Sequence, residues 1–179
     1  MVRVELTPTE LLMGQTIGTM RQATIELSQN KTCQRYAEGV LGALGEIAVA
    51  KALNMFWDSS LNTFKSRGDV GDVEVRTTTR VPPVVSLYVT NQDHDDRRFV
   101  LVSQVDERTY DLLGWMLGSE AKQRGVYESK AAGRAPAYWL RYDQLHDMDR
   151  MPEYVSNWQQ NALDQARALH AKVLKQRNI

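Results

Sequence analysis

Several things are scarce in this chain, and each scarcity narrows the reading. There is one cysteine, Cys33, so no internal disulfide can staple the fold. No apolar run approaches the roughly 20 residues that a bilayer-crossing helix needs, and no membrane partner is expected. The first residues, Met1-Val2-Arg3-Val4-Glu5, lack the apolar segment of a secretory leader, so a cytoplasmic protein is expected. His94, His146 and His170 are scattered and meet no cysteine at ligand spacing, which argues against a zinc site. No Gly-rich phosphate loop or dinucleotide fingerprint occurs. Net charge is also absent, with 22 Lys+Arg against 22 Asp+Glu. A strong non-specific nucleic-acid binder is usually basic.

What is present is ordinary globular material: 179 residues, 42% hydrophobic and 25% charged. That length predicts one domain spanning 1–179. The charge is unevenly placed. Residues 55–110 hold seven basic and nine acidic side chains, whereas 121–141 hold five basic ones and a single acid. An acidic middle followed by a basic stretch suits a site that holds a cation and faces a polyanion. It also suits an ordinary solvated surface.

The patterning predicts two helices, then strands, then a helix. Thr7, Pro8 and Glu10 form an N-terminal signature with a T-x-x-E capping box, opening a helix over 8–28. A second helix is expected over 32–53, where Tyr36, Val40, Leu44, Ile47 and Leu53 keep helical spacing. Gly39, Gly42 and Gly45 recur inside it. Each costs about 1 kcal/mol against Ala, so close approach of a neighbour is expected there. Glu46 lies in the apolar part of this helix and needs an arginine or a metal as partner.

Strands are expected over 72–77, 84–89, 99–105 and 111–117, the third of them central because it is almost continuously apolar. Asp93 to Arg98 reads as a polar turn. A short helix from Ser119, an ordered loop over 125–136, a strand at 138–140, a short helix from Asp143 and a long final helix over 151–177 complete the order. The fold class is therefore α/β: a central mixed β-sheet flanked by helices. The apolar stripe of the final helix suits packing on its own sheet or pairing in a homodimer.

The densest polar group is Gly68-Asp69-Val70-Gly71-Asp72-Val73-Glu74-Val75-Arg76. Alternate strand residues share a face, so Asp72, Glu74 and Arg76 project together while Val73 and Val75 enter a core. Carboxylates that converge repel one another, and a divalent cation relieves that repulsion. An isolated D-x-E-x-R string also describes a solvated strand face.

The order of motifs adds to this. Gly45-Glu46-Ile47-Ala48-Val49-Ala50-Lys51-Ala52-Leu53-Asn54 precedes Asp69–Thr78, and Gly114-Trp115-Met116-Leu117-Gly118 follows. In that order the chain resembles the PD-(D/E)XK nuclease superfamily, the restriction-endonuclease-like fold, and in particular small nuclease-like proteins of phages. The resemblance implies a nuclease-like core over about 32–142 and hydrolysis of phosphodiesters in DNA with Mg²⁺ or Mn²⁺. Asp69 matches the first motif Asp and Glu74 the motif Glu. Glu46 matches the helix carboxylate that completes the metal site. Asp72 either replaces Asp69 as ligand or sits beside it. Arg76 stands where the family usually has Lys. Arginine stays protonated, so Arg76 cannot take a proton from water, although it can grip a phosphate oxygen. The departure leaves a second implication: a catalytically inactive nuclease-fold module that binds nucleic acid or a protein partner.

Lys122, Arg124, Lys130, Arg134 and Arg141 are the candidate phosphate contacts, with Tyr127, Tyr138 or Trp139 able to stack on a base. The competing reading places Tyr138 and Trp139 in the core and the charges on a solvated loop.

Overall fold

A computed structural model describes residues 1–26, 34–59, 68–130, 133, 135–151 and 167. The chain divides into two compact units, Met1–Met148 and Asp149–Ile179. The second unit holds the expected helix 151–177, which lies outside the described residues except for Met151, in a bend, and Arg167, which is helical. The expected break at 28–31 and the side chain of Arg134 also lie outside them. No described helix is long and apolar enough to cross a membrane.

The first unit opens with a strand absent from the sequence expectation, β1 (Val2–Glu5). Four residues with one buried position offer no period to read; pairing with a later strand defines them. Helix α1 (Pro8–Glu26) begins at the expected reciprocal cap. The Glu10 N–H donates to Thr7 Oγ1 at 3.3 Å, and the Thr7 N–H donates to Glu10 Oε2 at 2.6 Å. Helix α2 (Gln34–Ala52) ends at Leu53-Asn54, where Asn54 takes φ 51°. Asparagine tolerates this left-handed conformation better than most residues, which is why it closes helices.

Strands β2 (Val73–Thr78), β3 (Ser86–Val89), β4 (Arg98–Gln104) and β5 (Thr109–Leu117) follow, each within a few residues of the expected span. Next come α3 (Gly118–Arg124), β6 (Val126–Glu128), β7 (Ala137–Arg141) and a 3-10 turn at Tyr142–Gln144.

The protein is mixed α/β, as expected, but it carries two sheets rather than one. The larger has the order β1-β5-β4-β2, the smaller β3-β7-β6. In the larger sheet β4 pairs parallel with β2 and antiparallel with β5, so it is mixed. Strand β4 is central, as its apolar run predicts. The second sheet escaped the sequence because periodicity identifies a strand but not its neighbour. Residues 125–136, read as a loop, contain β6; its three residues are all exposed and carry no inward apolar signal.

Both faces of the larger sheet are covered. On one side Phe99, Leu101, Leu113 and Met116 pack with Val85, Leu87, Val89 and Leu140 of the smaller-sheet region and with Ala121 of α3. On the other, α2 packs on β2, β1 and β4, and α1 packs on α2. Glycine allows the helix contacts. A Cβ on Gly39 would meet the Gly18 carbonyl oxygen at 2.9 Å, and one on Gly45 would collide with the Thr77 side chain. Gly42 faces open space, so two of the three recurring glycines mark close approach.

Candidate active site at the open edge of β2

The site begins with a turn. Val70 and Val73 exchange backbone hydrogen bonds of 3.1 and 3.0 Å, and the Gly68 N–H donates to the Gly71 carbonyl at 3.0 Å. Gly71 takes φ 65°, which any residue with a Cβ adopts at a cost. This turn folds residues 68–72 back along β2, whose outer edge pairs with no further strand of its sheet among the described residues. Asp69 thereby reaches the edge, and its Oδ2 accepts the Val75 N–H at 2.8 Å.

Glu46 approaches from the helix side. Gly45 abuts Thr77, so α2 lies against the face of β2 that carries Val73, Val75 and Thr77. Both Glu46 oxygens are held by Arg21, at 2.6 and 2.9 Å, and Oε2 also accepts the Trp57 indole N–H at 2.8 Å. Glu46 is buried, so this arginine is the partner its sequence context demanded. Burial disfavours the Arg21 charge, but Glu46, Asp69 and Asp58 outweigh it and hold the guanidinium above its ordinary value.

Glu74 and Arg76 occupy the opposite face of β2. Glu74 accepts from Arg97 through Oε1 and from Arg76 through Oε2 at 3.4 Å. Arg76 also donates to Asp93 at 3.1 Å, and its guanidinium carbon lies 5.1 Å from the Phe99 ring centroid and 5.3 Å from that of Tyr88. Burial works against the Arg76 charge; Tyr88, Asp93, Glu74 and Asp69 more than offset it, and its pKa is raised. Asp72 pairs with Arg98 at 3.0 Å. Arg76 Nε and Asp72 Oδ1 are buried with no hydrogen-bond partner among the described residues.

Asp69 connects these two sides. Burial, then the charge of Glu46, then that of Glu74 push its carboxyl from 3.8 to about 7, against the Val75 N–H and Arg76, which lower it. Two acids from different elements and opposite faces of β2 therefore act on a third at the strand edge.

Glu46 and Glu74 thus lie on opposite faces of β2, so the expected single pocket in which Glu46, Asp69, Asp72 and Glu74 clasp one ion is not formed; Asp69, at the strand edge, feels the charge of both. Asp72 is turned to Arg98 instead. Among the described residues no three acidic, histidine or cysteine side chains group closely enough to form a ready-made metal cage. Of the four expected ligands Asp69 alone carries no arginine ion pair among the described residues, so a hard cation there would rest on one protein carboxylate. Mg²⁺ typically takes one or two carboxylates, with water and substrate phosphate oxygens completing its shell. Glu46 and Glu74 add surrounding negative charge.

The expected basic surface is dispersed. Lys122 Nζ donates to the Asp93 carbonyl and to Asp95, both at 2.6 Å, tying down the 91–95 turn. Arg124 donates to the Gln144 carbonyl at 3.2 Å, Lys130 sits over Trp139, and Arg141 pairs with Asp143 at 2.6 Å. These contacts do not make one patch. Arg21, Trp57, Asp93, Arg97 and Arg98 join the site without having been anticipated.

Compared with protein-family models, with characterised proteins and with solved structures, the chain matches none of them.

Proposed function

We propose that this protein is a metal-dependent nuclease of the PD-(D/E)XK type, acting on phosphodiesters of DNA in the cytoplasm, with a restriction-endonuclease-like core. The observation that carries the reading is Asp69, a carboxyl brought to about neutral pKa by burial and by acids from a helix and a strand. Such perturbation gathers at functional sites. A structural aspartate at a strand edge gains nothing from two acidic neighbours.

Asp69 would hold Mg²⁺ or Mn²⁺, with Glu74 and Glu46 as the flanking acids. The ion would supply charge stabilisation and a more acidic bound water. Arg76 would fix a phosphate oxygen by exchanging its contact to Glu74 or Asp93, since its unpartnered Nε is buried. Arg97 holds Glu74 in place through Oε1 and would add positive charge near the substrate. Binding of the ion by Asp69 displaces a proton at neutral pH, so affinity should rise between pH 6 and pH 8.

The test incubates plasmid and single-stranded DNA with the protein in Mg²⁺ or Mn²⁺, beside Glu74→Ala and Asp69→Ala. Cleavage by the wild type that both variants lose supports the enzyme. Absence of cleavage, together with absence of metal binding by calorimetry, refutes it.

A second reading has its own observation. Every site carboxylate but Asp69 is answered by an arginine: Glu46 by Arg21, Glu74 by Arg97 and Arg76, Asp93 by Arg76, Asp72 by Arg98. A site so nearly neutralised suits a nuclease-fold module that binds nucleic acid or a protein without cutting. That reading predicts metal-independent binding and no cleavage.

A further inference from the structure

The smaller sheet has one face in the core and one outside. Leu87, Val89 and Leu140 are fully buried on the inner side. By the alternation of strand side chains Tyr88 and Trp139 point the other way. They are register partners, Tyr88↔Trp139, and Trp139 is in turn opposite Val126. Their ring centroids lie 5.3 Å apart at 39°. Tyr88 is 40% exposed and Val126 63%.

Cations flank this aromatic pair. Lys130 Nζ lies 4.2 Å from the Trp139 ring centroid. At the other end the Arg76 guanidinium carbon lies 5.3 Å from the Tyr88 ring. Arg141 projects from the same face as Trp139, two residues along β7, with its side chain 71% exposed. Glu128 and Asp143 answer Lys130 and Arg141 only in part, since Lys130–Glu128 is 3.8 Å long and the Arg141–Asp143 pair lies in solvent, whereas Arg76 is mostly buried and paired to Glu74 and Asp93.

We propose that this outer face binds single-stranded nucleic acid, stacking bases on Tyr88 and Trp139 while the exposed Lys130 and Arg141 hold phosphates beside the pair. Aromatic faces alternating with cations answer the two chemistries of an unpaired strand, its π-faced bases and its charged backbone. A duplex hides its base faces and offers only the phosphates. An acidic peptide would use the cations and leave two aromatic rings unexplained. Arg76 lies against the Tyr88 ring and pairs with Glu74, so the platform borders the candidate hydrolytic group. The inference thus rests on the nuclease reading for the fate of the strand, but binding can be measured without it.

The experiment is a fluorescence-anisotropy titration of the full chain with a labelled oligo-dT of about 12 nucleotides, within the usual site size of such platforms. EDTA removes divalent ions, and a duplex of equal length is the comparison. The wild type is expected to bind the single strand more tightly. Trp139→Leu should weaken that binding by about 5- to 150-fold, Trp139→Phe should retain most of it, and Tyr88→Leu should behave like Trp139→Leu. Lys130→Ala should reduce the slope of log affinity against log salt by about 0.7. Equal binding of single strand and duplex by the wild type would overturn the proposal. So would wild-type affinity in both leucine variants. If Trp139→Leu does not fold, Tyr88→Leu and Lys130→Ala carry the decision. Loss of cleavage in Asp69→Ala with this binding intact separates the platform from the hydrolytic site, and intact cleavage without selective single-strand binding sinks the platform alone.

Discussion

Replacing Asp69 by Asn should stabilise the protein in the absence of divalent ions while abolishing the proposed cleavage. The side chain titrates from an ordinary 3.8 to about 7 in the fold. A folded pKa above the unfolded one means that the native state binds the extra proton. Stability from this group is thus fully present below about pH 4 and is lost as pH rises through 7. A shift of about 3 units at about 1.4 kcal/mol each is about 4 kcal/mol by pH 8. Asparagine is the uncharged isostere and keeps an acceptor for the Val75 N–H, so it escapes that cost. Allowing for relaxation of the charged side chain, the gain should be roughly 2–4 kcal/mol, or a rise in Tm of about 5–15 °C for a chain of this size. Urea unfolding in EDTA at pH 5, 6, 7 and 8 measures it. The difference between variant and wild type should grow with pH. Mg²⁺ should raise the Tm of the wild type and leave Asp69→Asn unmoved. A variant no more stable than the wild type at pH 8 would show that Asp69 does not sit between two like charges.

Two glycines on α2 should respond in opposite directions. Gly42→Ala meets open space and should stabilise by about 0.5–1 kcal/mol, whereas Gly45→Ala collides with Thr77 and should destabilise by about 1–3 kcal/mol; thermal melts of both decide it. Arg21→Leu removes the charged partner of Glu46, leaving only the Trp57 N–H on Oε2, and should cost about 3–5 kcal/mol, most of it recovered in the Arg21→Leu/Glu46→Leu double variant, because a buried pair is dearer to break than to replace. Equal losses in the single and double variants would mean that the pair is not the source. Thr7→Ala removes the reciprocal cap of α1 and should cost about 1 kcal/mol in urea unfolding, and an unchanged midpoint would show the cap to be idle.

What the sequence disclosed, and what it hid, follow from the range of each interaction. Local signals were legible: Thr7 and Glu10 sit three residues apart and cap each other, Val73 and Val75 alternate into a core, and the apolar run from Phe99 makes β4 central. Non-local pairing was not. Nothing in Ser86–Val89 says that it pairs with Ala137–Arg141, about fifty residues on, so two sheets read as one. The same limit applies to the site. Glu46 announces a need for a partner because it is an acid among alanines and valines, but the partner lies 25 residues earlier on α1. The signal that points to it is the small-residue seam: Gly18 on α1 touches Gly39 on α2, which sets the two helices close enough for Arg21 to reach Glu46.

Arg97 and Arg98 were read as turn charges, yet their places at the start of β4 put them beside the start of β2, whose register aligns Val73 with Arg98 and Glu74 with Phe99. Parallel pairing therefore determines which arginine meets which acid, and that pairing also leaves the far edge of β2 free for Asp69. The arginines neutralise Glu74 and Asp72 along one side of the strand, while the glycine turn delivers Asp69 to the other side without a cation of its own. An arrangement serving stability alone would have paired the third acid as it paired the rest. Leaving it flanked by Glu46 and Glu74 lowers the stability of the empty protein at neutral pH and raises its affinity for an incoming positive charge, and this asymmetry is what favours a site over a network of ion pairs.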